Sequence, residues 1–218
     1  KVRALILGIA VHKALEMAYK ELKENRIPSY EYIKEEFIKE LKNELLSEKE
    51  FKEIETEGIS ILKIYYETYK EEFSKSAKDI LFLEKFFGWG WSKPILDNSI
   101  HLQGKVDKII SLNPADKTIK IVDYKTGKPH SRNEILGKTK YADMGQYRQL
   151  LFYKLLLELD KSFQYKVHQI ELDYIGNRTI KPKREIFTIE EKDLENLKNT
   201  IRDVYKSINE LKFERTKN

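Results

Sequence analysis

Two short runs, Gly104-Lys-Val-Asp107 and Ile121-Val-Asp123-Tyr-Lys125, decide how this chain is read. Between them lies Asn113-Pro-Ala-Asp-Lys117, a cluster of turn formers. A hairpin that turns about Ala115 counts eight residues back to Asp107 and eight forward to Asp123. The two carboxylates then face each other across the ladder, with Cβ atoms about 4.5–5.5 Å apart. Side chains alternate along a strand, so Lys125 shares a face with Asp123, and with Ile109, Ile119 and Ile121. One face thus carries three isoleucines and, at its end, two acids and a lysine. Like charges opposed on a half-buried sheet destabilise it, and a buried charge is costly unless paired. Two arrangements relieve that cost. A hard divalent cation, Mg²⁺ or Mn²⁺, can sit between the carboxylates, or the hairpin end is solvated and Lys125 neutralises one acid. A bulge that slips the register by one residue would scatter the group.

The rest of the chain supplies a frame for that hairpin. Upstream, apolar residues recur at three- and four-residue spacing in three helical segments. The first carries Leu5, Ile6, Ile9, Leu15, Ala18 and Leu22 and stops near 25–28; Ser29 caps the second; the third runs over about 50–73. Short β-rich runs follow at 80–87, 100–110 and 118–124, then a polar stretch over 126–140 and a helix over 144–159. Strands at 165–174 and 184–188 lead to a closing helix over 190–211. The expectation is one mixed α/β domain over 1–218, with a helical portion at 1–75 and a sheet-containing catalytic core at 76–218.

Composition narrows the classes. At 218 residues, roughly 70% of the unfolded surface can be buried without a staple. Charged residues make up 35%, and no apolar run approaches the ~20 residues a membrane-spanning helix needs. With no cysteine there can be no disulfide, thiolate zinc site, iron–sulfur cluster or thiol nucleophile, which fits a reducing cytoplasm, the expected location. A chain that starts at Lys1 is expected to be a fragment or a trimmed chain, with no signal peptide in view. Forty-one basic against 36 acidic residues leave a net charge of only +5, so contact with a polyanion requires local clustering. Lys125, Lys128, His130, Arg132, Lys138, Lys140 and Arg148 form such a cluster, interrupted by Glu134 and Asp143. It reads as a mobile loop suited to a phosphate backbone, or as an ordinary solvated loop.

Gly8-Ile-Ala-Val-His12, Gly104-Lys-Val-Asp107, Asp123-Tyr-Lys125-Thr-Gly127 and Gln149-Leu-Leu-Phe-Tyr153 stand in an order that resembles RecB-like nucleases of the PD-(D/E)XK superfamily. The likeness extends to RecB and AddB helicase–nucleases and CRISPR-associated exonucleases, and it covers residues 8–153. It implies a restriction-endonuclease-like core, with a mixed central sheet flanked by helices. The implied activity is a divalent-metal-dependent DNA nuclease, an exonuclease, acting in repair or recombination or as a helicase-linked domain. The implied cofactor is Mg²⁺ or Mn²⁺, and the implied partners are single-stranded DNA or duplex ends and a helicase domain or subunit. Some relatives hold an iron–sulfur cluster through cysteines; this chain has none and departs from them.

Residue by residue, the resemblance makes His12, Asp107 and Asp123 metal ligands, together with the backbone carbonyl of Tyr124. Lys125 orients the attacking water and stabilises phosphate charge. Gln149 and Tyr153 lie near the site and the nucleic acid; from the basic cluster, Lys128, Arg132 and Arg148 are expected to bind nucleic acid or support the site. Glu84 can point toward the same site from the preceding strand. Gly8, costly in a helix by about 1 kcal/mol relative to alanine, is expected to permit a close approach. Phe86-Phe87-Gly-Trp89-Gly-Trp91 is aromatic enough to stack bases; the expectation is packing for Phe86 and exposure for one tryptophan. The competing reading is a non-catalytic nucleic-acid-binding module that keeps the fold. Other hydrolases find no support, because the chain has no glycine-rich phosphate loop, Ser–His–Asp order or HExxH.

Overall fold

Ser29 and Ser47 each begin a helix by accepting a backbone N–H, and Glu50 completes a capping box at Ser47. These helices, α2 (Tyr30–Leu41) and α3 (Glu48–Thr68), pack with α1 (Arg3–Lys23). The computed structural model describes residues 3–75, 77–176 and 179–212. Apolar stripes from the three helices meet in one core, including Val11 and Leu15 of α1, Phe37 of α2 and Ile61 and Tyr65 of α3. A Cβ at Gly58 of α3 would lie 2.0 Å from Cζ of the buried Phe37 ring, so only glycine lets these two helices approach. Gly58→Ala is expected to destabilise the protein by about 1–3 kcal/mol through overpacking, read as a lower urea midpoint at unchanged slope. An unchanged midpoint would show that α2 and α3 can separate without cost.

The strands are β1 (Ile80–Phe87), β2 (Ile95–Leu96), β3 (Ile100–His101), β4 (Gly104–Asn113), β5 (Thr118–Lys125), β6 (Lys166–Tyr174) and β7 (Lys183–Phe187). Five form one sheet in the order β1-β4-β5-β6-β7, while β2 and β3 make a separate two-stranded ribbon. Only β5 and β6 run parallel within that sheet, and the connection between them carries α4 (Arg132–Ile135) and α5 (Gly145–Leu159). On one face, Val122 and Tyr124 close the core of α1–α3. On the other, Ile109, Ile119 and Ile121 pack with α5 and with Leu194 and Leu197 of α6 (Glu191–Asn209). This is a mixed α/β sheet with helices on both faces, led by a helical portion, and it is consistent with a restriction-endonuclease-like core. Among the described residues no helix is long and apolar enough to cross a membrane.

The register is the one counted from Ala115: Lys108 opposes Val122, Ile109 opposes Ile121, and Ser111 opposes Ile119. A bulge between Ser111 and Asn113 is confined to the turn end, so it does not reach the acids. Two expectations differ. The run at 100–110 breaks between His101 and Gly104, because the N–H of Leu102 turns aside to donate to the Pro94 carbonyl. The third helix ends at Thr68, and Phe73 enters the core from a separate 3₁₀ turn, Glu72–Ser74.

Candidate active site

Where the counted ladder ends, the sheet forks. Pairing of β4 with β5 reaches Lys108 and Val122, yet β4 stays on β1 as far as Gly104 and β5 stays on β6 as far as Lys125. The fork leaves the backbone of Tyr124 without its β4 partner. Asp107 fills the gap: its Oδ2 accepts the Tyr124 N–H at 2.8 Å. The other carboxylate oxygen, Oδ1, lies 3.4 Å from Nδ1 of His12, which reaches in from α1. The far ring nitrogen, Nε2, is 3.1 Å from the Tyr124 carbonyl. A carbonyl only accepts, so Nε2 is the donor. The ring thus holds two oxygens that are themselves candidate cation ligands.

Glu84 completes this side. One ligand atom each from His12, Glu84 and Asp107 lie within 4.8 Å of one another. Glu84 adopts a positive φ of 49° inside β1, while the pairs on either side of it, Leu83 with Lys108 and Lys85 with Val106, keep one register. The sequence hinted at this residue by placing an acid inside the apolar run Leu81-Phe82-Leu83-Glu84, but the backbone that aims it was not readable there. Lys105, unremarked in the sequence beyond its motif, pairs with Glu84.

Asp123 stands outside the three-residue group and heads a second one. Lys125 Nζ lies 2.6 Å from Asp123 Oδ2 and donates to Gln149 Oε1 at 2.6 Å. Gln149 Nε2 donates to the Tyr153 hydroxyl at 2.7 Å, and that hydroxyl donates to Asp123 Oδ1 at 2.8 Å. The circuit closes on itself. Gln149 and Tyr153 are four residues apart on α5, so one helix face supplies both. Asp123 Oδ2 is buried, and the Lys125 ammonium 2.6 Å away is the polar group set against it.

Electrostatics follow from this crowding. Burial pushes the Asp123 carboxyl up despite Lys125, with the Asp107 charge adding to the shift. Burial likewise raises Glu84, again with Asp107 contributing and Lys105 opposing. For His12, burial disfavours the charged ring, but Asp107, with Asp123 and Glu84 behind it, outweighs burial and raises its pKa. Three carboxylates and one imidazole therefore crowd together, with Lys105 against Glu84 and Lys125 against Asp123 as counter-charges. A nitrogen, several carboxylate oxygens and the Tyr124 backbone carbonyl oxygen form a donor set that suits a hard or borderline divalent ion.

The remaining predicted contacts divide. Lys128 and Arg148 are exposed, three residues beyond Lys125 and one before Gln149 in the chain. Arg132 is not directed to it: its guanidinium lies 4.3 Å from the Phe187 ring centroid and donates to the Ile186 carbonyl, tying α4 to β7. Nor is 126–140 wholly irregular, since Ser131 and Glu134 form a capping box on α4. Gly8 gives no tight approach; a Cβ there would meet only Thr126 Oγ1, at 3.4 Å. The glycine instead lines the groove that also contains His12, Glu84 and Thr126.

A family model described as the PD-(D/E)XK nuclease superfamily matches residues 1–218. The chain belongs to that superfamily. Nothing among the curated proteins matches it. PD-(D/E)XK proteins are usually phosphodiester-hydrolysing nucleases that use divalent metals, and the His12, Glu84 and Asp107 group offers a possible metal site of that kind. Nucleic acid is the substrate class that goes with the fold.

Proposed function

We propose that the protein is a Mg²⁺- or Mn²⁺-dependent DNA nuclease of the RecB-like type, acting from strand ends and serving repair or recombination beside a helicase domain or subunit. The observation that carries this reading is the fork, where His12, Glu84, Asp107, the Tyr124 carbonyl and the Asp123–Lys125 pair converge. His12, Glu84, Asp107, Asp123 and the Tyr124 carbonyl would hold the cation. Bound there, such an ion would supply a lowered pKa for a ligated water and neutralisation of charge on the scissile phosphate.

The chain's own groups do the rest. Lys125 has three ammonium hydrogens; Gln149 takes one and Asp123 draws another, leaving a third for a phosphate oxygen or the attacking water. Gln149 and Tyr153 are positioning residues that hold Lys125 and Asp123 in register with each other. Exposed Lys128 and Arg148 supply sequence-independent attraction for the backbone. A retained lysine and a full ligand set favour catalysis over a non-catalytic binding module.

The decisive experiment compares linear single-stranded, linear duplex and closed circular DNA in Mg²⁺, in Mn²⁺ and in EDTA. Linear DNA is expected to be degraded with either ion and left intact in EDTA, while closed circles survive. Cleavage in neither ion, or equal cleavage in EDTA, sinks the metal-dependent reading; cut circles sink the end-dependent one.

A further inference from the structure

The aromatic turn that follows β1 is not packed as expected. Phe87 is the buried ring, whereas Phe86 is 50% exposed and both Trp89 and Trp91 face solvent, at 80% and 95% exposure. Several exposed aromatic rings on one short segment mark an interaction site more often than a lone ring does. This turn is also built to hold its shape. Gly88 and Gly90 take positive φ values of 88° and 62°, and a Cβ at Gly88 would lie 2.5 Å from the Leu102 carbonyl oxygen. The Gly88 N–H donates to Ser92 Oγ at 3.1 Å, and that hydroxyl in turn donates to the buried Asp160 carboxylate at the end of α5. The two indoles are therefore displayed from a clamped base.

Position and charge narrow what they meet. Trp89 is five residues beyond Glu84, in the turn just past the end of the same strand, so its Cα lies within roughly 17 Å of that of the candidate ligand. The base of the turn pairs with Gly104, three residues before Asp107. From 85 to 95 the chain carries Lys85 and Lys93 and no acid. Three rings on one turn are too few for a stable protein interface, which buries about 1,200–2,000 Å². Lys85 turns its ammonium over the Phe82 and Phe87 rings, so Trp89 and Trp91 offer bare flat faces on a segment without acids, which matches the way unpaired bases are held by stacking.

We propose that Trp89 and Trp91 stack the unpaired bases of a nucleic-acid single strand whose backbone continues to the candidate metal site. The inference rests on the nuclease reading and adds to it a preference for single strands, with a second point of contact outside the catalytic groups.

The chain contains only two tryptophans, so its intrinsic indole emission reports this turn alone. Titration in EDTA with oligothymidylate should quench that emission saturably, while a blunt duplex leaves it unchanged. Trp89→Ala/Trp91→Ala should weaken single-strand binding, read by anisotropy of a labelled strand, by about tenfold or more, as loss of base stacking predicts, with duplex binding unaltered. Three results overturn the platform: an unquenched protein that is saturated with strand, a double variant that binds single strands as tightly as the parent, or quenching by anionic vesicles and not by DNA. Cleavage in Mn²⁺, scored on the same preparation, separates the two readings. A protein that cleaves without quenching loses the platform and keeps the nuclease; one that is quenched but cleaves nothing loses the nuclease and keeps the platform.

Discussion

Asp107→Asn is expected to lower metal-dependent DNA cleavage by about 10³-fold while leaving the fold intact. The two halves of that expectation have separate causes. Asp107 caps the Tyr124 N–H at the fork through Oδ2, and an asparagine carbonyl oxygen can accept the same hydrogen bond. What the substitution removes is the negative charge, and with it a ligand to the proposed cation. Metal-assisted charge stabilisation amounts to several kcal/mol of the barrier, and about 4 kcal/mol corresponds to roughly 10³ in rate. Gln149→Ala should cost less, because Lys125 keeps its contact with Asp123 when Gln149 is gone. The measurement is a cleavage time course at saturating Mn²⁺, with the thermal midpoint of each variant recorded alongside. Full activity in Asp107→Asn, at an unchanged midpoint, removes Asp107 from the reaction and the site assignment with it.

How far the sequence foretold this arrangement depends on the range over which each rule acts. The register of the hairpin followed from a turn and an alternation period, both local, and it holds as far as Lys108 and Val122 because the bulge of this ladder sits beyond Ser111; the strands part before Asp107 and Asp123 can pair, which neither local rule encodes. Ser29 and the helix starts were legible for the same reason. Glu84 was held only as a possibility, since its direction depends on a positive φ inside a strand, which composition does not encode. Arg132 looked like part of a basic loop, yet Phe187, fifty-five residues on, offers its guanidinium an aromatic face. The aromatic turn was misjudged because spacing alone cannot say which ring of Phe86-Phe87 faces inward; pairing of Phe87 with Gly104, and its burial against Phe163, decides it. Gly58 gave no signal at all, since the Phe37 ring it accommodates belongs to another helix.

The largest stability effect is expected on the opposite face of the sheet, at Asp173. That residue pairs across β5 and β6 with Tyr124 and is 0% exposed. Its Oδ2 accepts from the Tyr65 hydroxyl at 2.7 Å and from Arg184 Nε at 3.0 Å. Lys108 is buried on the same face, its ammonium 3.6 Å from the Tyr19 ring centroid; burial pulls its pKa down to about 8, and Asp173 is the strongest influence opposing that fall. Asp173→Ala would leave Arg184 with Glu72, which accepts two hydrogen bonds from it, but would deprive Lys108 of its main counter-charge. Breaking a buried charge group by removing one member costs about 3–5 kcal/mol, since the remaining charge keeps its desolvation penalty. Removing both signs should cost far less: Asp173→Ala/Lys108→Met is expected to regain more than half of the loss, because the uncompensated ammonium is gone. Denaturant midpoints of the two single variants and the double variant test this. Additive losses would show that packing around Tyr65, and not charge, makes Asp173 necessary. A recovered double variant would show that Lys108, one residue from Asp107, sits in the core only because Asp173 is there to hold it.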